Sequence, residues 1–216
     1  MSENANMSKL VRAIRKIKNS KVRDLVSTRV REFKENGSKS ITEIFKELCF
    51  CILTANFNAE KSIKIQSEIG EGFLIFSEEE LAEKLRVLGH RYPVSRARHI
   101  VEARRKIEAL KNILHSPVSE KSLREWLVRN IKGLGYKEAS HFLRNIGFMN
   151  LSIIDFHILN VLSRYRLICK LKGKALTRRR YMEIEKILND LAERTNLRLG
   201  ELDLYLWYME TGKILK

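Results

Sequence analysis

The stretch Leu127–Gly147, LVRNIKGLGYKEASHFLRNIG, decides how this chain is read. An apolar-faced helix ends at Ile131, a tight turn carries Gly133 and Gly135 around Leu134, and a second amphipathic helix begins at about Lys137. Glycine admits positive φ and lets the backbone come close to another molecule, so both glycines are expected to serve the turn. Leu134 is expected to be pinned between the two helices. Turn amides at the start of the second helix can grip an anion there. An ordinary helical hairpin closed by a glycine turn uses the same residues, and spacing alone does not separate the two readings.

Charge separates them. The 216 residues carry 42 Lys and Arg against 26 Asp and Glu, a formal +16 with a pI near 9.9. The sign is segregated along the chain: residues 1–40 hold 11 basic and 4 acidic groups, 41–90 hold 5 and 9, 91–150 hold 13 and 5, and 151–216 hold 13 and 8. Three basic segments around one acidic segment point to a basic face for a polyanion, and nucleic acid fits best because Lys and Arg displace counterions condensed on phosphates. With the net +8 segment around it, the Gly133–Leu134–Gly135 turn has the pattern of a helix-hairpin-helix holding a DNA phosphate.

Composition excludes other classes. At 44% hydrophobic and 31% charged, the chain can build a packed core, which excludes disorder and collagen-like architecture. No run approaches the roughly 18–20 apolar residues of a membrane span, and MSENANMSKL lacks the apolar centre of a signal peptide. A soluble, cytoplasmic, nucleoid-associated protein is expected. Cys49, Cys51 and Cys169 suggest neither a disulfide framework nor a metal cluster, and all three are expected to be buried as small apolar residues.

Helical spacing of apolar residues runs nearly throughout, so the expected fold is all-α. Ile41, Ile44, Phe45, Leu48, Cys49, Ile52 and Leu53 make one wide face that demands burial. Ser77 and Glu80 form a capping box for a helix carrying Leu81, Leu85 and Leu88, which Gly89 stops. After Pro93, Ser95 is expected to cap one helix bearing Ile100, Val101, Ile107 and Leu110. Another begins near Ser119, with Leu123, Trp126, Leu127 and Ile131 inward. Later helices are expected after Asp155, around Tyr181–Leu191, and over Leu202–Tyr208. FLIF at Phe73–Phe76 could be a short strand, but it is too isolated to pair.

Two residues invite chemistry. Lys137 stands in the first turn after the glycine turn, where the positive end of the helix dipole, with Lys132 and Arg144 nearby in sequence, favours an uncharged amine, which is a nucleophile. A phosphate or solvent contact is the simpler role for one lysine among so many. Asp155 is a good N-cap, and a capped carboxylate can also stabilise a sugar with developing oxocarbenium character. His90, His141 and His157 suggest no metal geometry.

GLGYKEASHFLRNIG at Gly133–Gly147, followed by SIIDFHI at Ser152–Ile158, resembles the helix-hairpin-helix and catalytic-Asp segment of the base-excision DNA glycosylase superfamily. More narrowly, ELCFCILTANF at Glu47–Phe57, LGHRYP at Leu88–Pro93, Glu125–Gly147 and DLYLWYMETGKILK at Asp203–Lys216 resemble the type 2 8-oxoguanine DNA glycosylase/lyases of archaea and some bacteria. These blocks span most of residues 40–216. The resemblance implies that a damaged nucleotide is extruded from the duplex. It implies that Lys137 attacks C1′, expels 8-oxoguanine and forms a Schiff base, with β-elimination nicking the strand 3′ to the lesion, while Asp155 stabilises the charged sugar. Superfamily members often carry Gly or Pro before this Asp; here Ile153 and Ile154 precede it, as in the type 2 group.

The resemblance also places the terminal lysine, Lys216 with its carboxylate, in the base pocket. Oxidation turns guanine N7 from an acceptor into a donor, so an acceptor placed there discriminates the two bases. Trp207 is a candidate stacking partner for the flipped base, with core filling as its other role, and Tyr92 is a weaker candidate. No metal or cofactor is implied, and with its last cysteine at 169 the chain lacks the four-cysteine iron–sulfur loop of some superfamily members. The expected organisation is two helical subdomains with the active-site cleft between them, Lys137 and Asp155 facing each other across it. One subdomain is a six-helix unit over residues 41–150, ending in the hairpin at 127–147; the other joins residues 1–40 to 151–216. The expected partner is double-stranded DNA containing 8-oxoguanine, with no membrane, acted on by a monomer.

Overall fold

The structure is a computed structural model that describes residues 3–170 and 176–216. The described residues are all-α: they form helices joined by turns and contain no strand. They divide into two compact units, one of Glu35–Ile146 and one in which the chain up to Lys34 is joined by the chain from Gly147 onward.

The first helices are α1 (Glu3–Lys18) and α2 (Val22–Gly37), the end of α2 lying in the Glu35–Ile146 unit. That unit then holds α3 (Ile41–Thr54), α4 (Ala59–Ile69), α5 (Gly72–Ile75), α6 (Glu78–Val87), α7 (Pro93–Arg104), α8 (Ile107–Leu114), α9 (Glu120–Asn130) and α10 (Tyr136–Asn145). Its centre is α3, whose wide apolar face is buried from Phe45 to Leu53 apart from Lys46, and which packs on α4, α5, α7, α8 and α10. Ser40 caps it, the hydroxyl accepting from Glu43 N–H at 3.4 Å. The Ser77–Glu80 capping box is present in both directions, at 3.1 and 2.8 Å.

Five expectations need correction. Phe73–Phe76 is no strand: residues 72–75 form the one-turn helix α5, with Phe76 N–H donating to Gly72 carbonyl at 2.9 Å and Phe73 fully buried. Ser95 caps nothing; α7 starts at Pro93, whose fixed φ and missing N–H suit the first helical position, leaving Ser95 exposed inside the helix. Ile100–Leu110 is two helices, not one. The chain breaks at Arg105–Lys106, within a run of three consecutive cations, the first of which, Arg104, donates from Nε to Phe73 carbonyl at 2.9 Å. Cys169 is exposed, although Cys49 and Cys51 are buried as expected. It follows the end of its helix, where no apolar face continues to bury it. Trp126 is only half-buried, whereas Leu123, Leu127 and Ile131 point inward.

The second unit contains α1, most of α2, α11 (Phe156–Arg164), α12 (Arg178–Thr195) and α13 (Leu199–Thr211). Here α11 packs on α13, and α1 packs on α12 and α13. Leu10, Ile14, Val161, Leu162, Ile184 and Leu191 are fully buried. The basic end of α1 has a structural use: Arg15 donates to Arg194 carbonyl at 2.7 Å and Lys18 to Thr195 carbonyl at 3.0 Å. These cations meet the negative, carbonyl-rich C-terminus of α12. Part of the N-terminal positive charge therefore holds the fold together.

Candidate active site

The hairpin is built by α9 and α10. Ser119 caps α9, accepting Ser122 N–H at 3.1 Å, and the helix closes with Ile131 N–H on Leu127 carbonyl at 2.9 Å. The two glycines of the turn do different work. Gly133 has φ +86°, and a Cβ there would lie 2.5 Å from His99 Nδ1. Gly135 has φ −90°, open to any residue; it is the N-cap of α10, and its N–H donates to Glu138 Oε2 at 3.2 Å. Of the two, only Gly133 uses glycine's positive φ. Leu134 is buried, as the pattern requires.

Contacts invisible in the sequence set the hairpin's geometry. Arg124 on α9 is buried and donates to Ser140 Oγ on α10 at 3.3 Å, with its guanidinium 5.4 Å from the Tyr136 ring centroid. Tyr136 Oη donates to the Glu125 carboxylate at 2.9 Å. At the other end of α10, Asn145 Nδ2 donates to the buried Glu47 of α3 at 2.7 Å, and Arg144 Nε to Asn145 Oδ1 at 2.9 Å. Buried polar groups satisfied in this way fix one geometry.

Lys137 is the second residue of α10. Its side chain is 24% exposed, with Nζ 3.8 Å from Glu138 Oε1. A carboxylate therefore stands beside the amine. The charge of Glu138 also acts on Arg96, a buried residue whose Nη2 donates to Ala55 carbonyl at 2.6 Å and whose pKa burial lowers. Arg96 and Arg91 lie 5.6 and 5.1 Å from the half-exposed Tyr92 ring, so this ring already has cationic company. His99, beneath Gly133, has its pKa lowered first by burial and then by Arg96, against the raising effect of Glu102; Lys132 and Arg98 lower it further.

Lys137 belongs to one unit; Asp155, Trp207 and Lys216 belong to the other. Asp155 is the N-cap of α11. Its Oδ1 accepts Ile158 N–H at 2.9 Å, and its Oδ2 accepts Trp207 Nε1–H at 3.2 Å. The segment leading into it is anchored by α12: Tyr181 Oη donates to Ser152 carbonyl at 2.6 Å and accepts Ile154 N–H at 3.4 Å, while Glu185 Oε1 accepts Ser152 N–H at 3.2 Å. Ile153 and Ile154 are buried. That is the physical reason apolar residues can precede Asp155: their side chains fill the core while Tyr181 and Glu185 satisfy the backbone. Neither partner was foreseen, because 29 and 33 residues separate them from Ser152.

Trp207 lies on α13, half-buried, with its ring edge-to-face with His157 at 5.1 Å and 68°. His157 in turn lies 3.8 Å from Phe156, which is 64% exposed. Beyond Thr211 the chain turns at Gly212, φ +70°, and runs without regular structure to the half-buried Lys216. Among the described residues no group of His, Cys, Asp and Glu could hold a metal ion, and no helix is long and apolar enough to cross a membrane.

An all-α chain whose glycine turn opens a lysine-bearing helix is a helix-hairpin-helix protein. A family model described as 8-oxoguanine DNA glycosylase matches residues 26–197, and the chain belongs to that family. An 8-oxoguanine DNA glycosylase/AP lyase of Korarchaeum cryptofilum is 56% identical over 207 residues, covering 96% of this chain and 98% of the relative. The crystal structure of the Methanocaldococcus jannaschii 8-oxoguanine glycosylase/lyase in complex with 15mer DNA containing 8-oxoguanine superposes with a TM-score of 0.92 at 55% identity, covering 96% of this chain and all of that one. The 8-oxoguanine DNA glycosylase of Thermotoga maritima matches with a TM-score of 0.90 at 45% identity, over 97% of this chain and all of that one.

Proposed function

We propose that this protein excises 8-oxoguanine from double-stranded DNA and then nicks the strand. The observation that carries this reading is the place of Lys137, in the first turn of the helix opened by the glycine turn, within a family whose relatives are named glycosylase and AP lyase. Lyase chemistry calls for an amine that bonds to the sugar. The Lys137 amine attacks C1′ as the glycosidic bond breaks, and 8-oxoguanine leaves with the bonding electron pair. Loss of a proton and ring opening give a Schiff base. Removal of a C2′ proton then expels the 3′ phosphate by β-elimination. Asp155, held at both oxygens, stabilises positive charge growing on the sugar and assists the proton transfers.

The Gly133–Leu134–Gly135 turn holds a backbone phosphate through amides and so positions DNA without reading sequence. Trp207 and Tyr92 present aromatic faces for the extruded base, and Lys216 takes part in telling 8-oxoguanine from guanine; the half-buried, irregular tail that carries it supports this role. The test is product analysis. Incubation with duplexes containing 8-oxoguanine, oxidised pyrimidines or mispaired adenine, followed by chromatography of released bases and gel analysis of the strand, should show free 8-oxoguanine and a nick 3′ to the lesion. Release of another base in preference would overturn the substrate assignment.

A further inference from the structure

We propose that Trp207 is a positioning residue for Asp155, acting through its indole N–H in addition to any contact its ring makes with a base. The proposal rests on the reading of Asp155 as the group that stabilises the charged sugar. As an N-cap, Asp155 commits Oδ1 to Ile158 N–H at 2.9 Å. One hydrogen bond fixes one oxygen and leaves the carboxylate free to turn about its Cβ–Cγ bond, a broad and soft torsion. The second bond, from Trp207 Nε1 to Oδ2 at 3.2 Å, removes that freedom and sets the plane of the anion. An indole nitrogen only donates and a carboxylate only accepts, so the two groups match in hydrogen-bonding character.

The indole is itself held. Its ring packs edge-to-face with His157 at 5.1 Å, and the backbone that carries it is tied by Thr211 Oγ1, which donates to the Trp207 main-chain carbonyl at 2.8 Å. Further along the same pair of helices, Glu210 on α13 accepts from Asn160 Nδ2 at 3.4 Å and pairs with Arg164, both on α11. The two helices are therefore tied at successive points, and Trp207→Asp155 is the tie at the end where the chemistry lies. Preorganised dipoles aimed at a charged group need no rearrangement at the moment of reaction. A ring used only for stacking would need no such donor.

The test is a double-mutant cycle read by single-turnover excision at saturating enzyme. Trp207→Phe keeps an aromatic face and removes the donor. It should slow excision about ten- to a hundredfold, the range spanned by one hydrogen bond to a charged group, while the enzyme concentration giving half the maximal rate stays unchanged. In an Asp155→Asn background the same change should cost less than about twofold, because no anion remains to be positioned. Site-specific benzothienylalanine at 207, a bicyclic ring without the N–H, should reproduce Trp207→Phe, which keeps the proposal testable if the smaller ring perturbs folding. Wild-type rates with either replacement, or an undiminished Trp207→Phe penalty in the Asp155→Asn enzyme, would overturn it. Full excision by Asp155→Asn alone would instead remove the role of Asp155, and the proposal with it.

Discussion

Replacing Gly133 by alanine probes the turn between α9 and α10. At φ +86° an L-residue loses about 1–2 kcal/mol to crowding between Cβ and its own backbone. The added Cβ would also fall 2.5 Å from His99 Nδ1 and 3.1 Å from Cγ, so the imidazole must leave its position. Moving a ring off its rotamer costs roughly 0.5–1.5 kcal/mol. Alanine's stiffer unfolded chain returns about 0.4–1 kcal/mol. The net loss is about 0.5–3 kcal/mol, and for a chain of this size each kcal/mol lowers Tm by about 2–4 °C. Gly135→Ala is the internal control: φ is −90°, and its Cβ would meet only Glu138 Oε2, the far end of a flexible side chain, at 3.2 Å. Thermal unfolding followed by circular dichroism should therefore rank Gly133→Ala clearly below Gly135→Ala. His99→Ala should recover the steric part of the Gly133→Ala loss and leave the backbone part. Equal Tm values for the two glycine variants, or no recovery with His99→Ala, would refute the reasoning.

Other outcomes follow from burial and charge. His90 is buried; its Nδ1 accepts Tyr92 N–H at 3.1 Å, so its Nε2 carries the proton facing Leu53 carbonyl at 3.1 Å. Burial, then the Arg96 charge, outweighs that carbonyl and lowers the folded pKa below 6.5. The neutral ring's stabilisation is thus complete above pH 6.5 and lost as pH falls through the lowered folded value. Denaturant titrations should show stability declining below pH 6.5, with a shallower decline in His90→Gln; an identical decline would exclude His90 as a source. Ellman's reagent should titrate one thiol, Cys169, in the native protein and three after unfolding, whereas rapid reaction of Cys49 or Cys51 would contradict their burial. Lys216→Ala should lower the excision preference for 8-oxoguanine over guanine about tenfold or more with little change in Tm; an unchanged preference would take this residue out of base recognition.

How much of this was legible in the sequence depended on distance along the chain. Elements written locally came through: the Ser77–Glu80 box, the Ser119 and Asp155 caps, the apolar face of α3 and the glycine hairpin each depend on residues within one or two turns. Phe73–Phe76 failed because four apolar residues carry no period, and only the Gly72 carbonyl accepting Phe76 N–H decides for a helical turn. Ser95 failed because proline at the first helical position outranked a later capping residue. Lys137 and Asp155 stood out through their places beside a turn and at a cap. Their surroundings did not, since Trp207 reaches Asp155 across 52 residues and Tyr181 reaches Ser152 across 29. Glu138 is the instructive omission. It lies next to Lys137 in sequence, and its position three residues after the N-cap Gly135 signals a carboxylate that folds back toward the start of the helix, where the lysine also sits.

In the proposed reaction the Lys137 amine becomes covalently joined to deoxyribose. Borohydride reduces a Schiff base to a stable amine, so incubating the protein with an 8-oxoguanine duplex and borohydride should yield one protein–DNA adduct, with Lys137 as the modified residue by peptide mass spectrometry. Lys137→Gln should abolish the adduct while retaining most of the affinity for duplex DNA. An adduct of normal yield in Lys137→Gln, or none in the unaltered protein, would contradict the account.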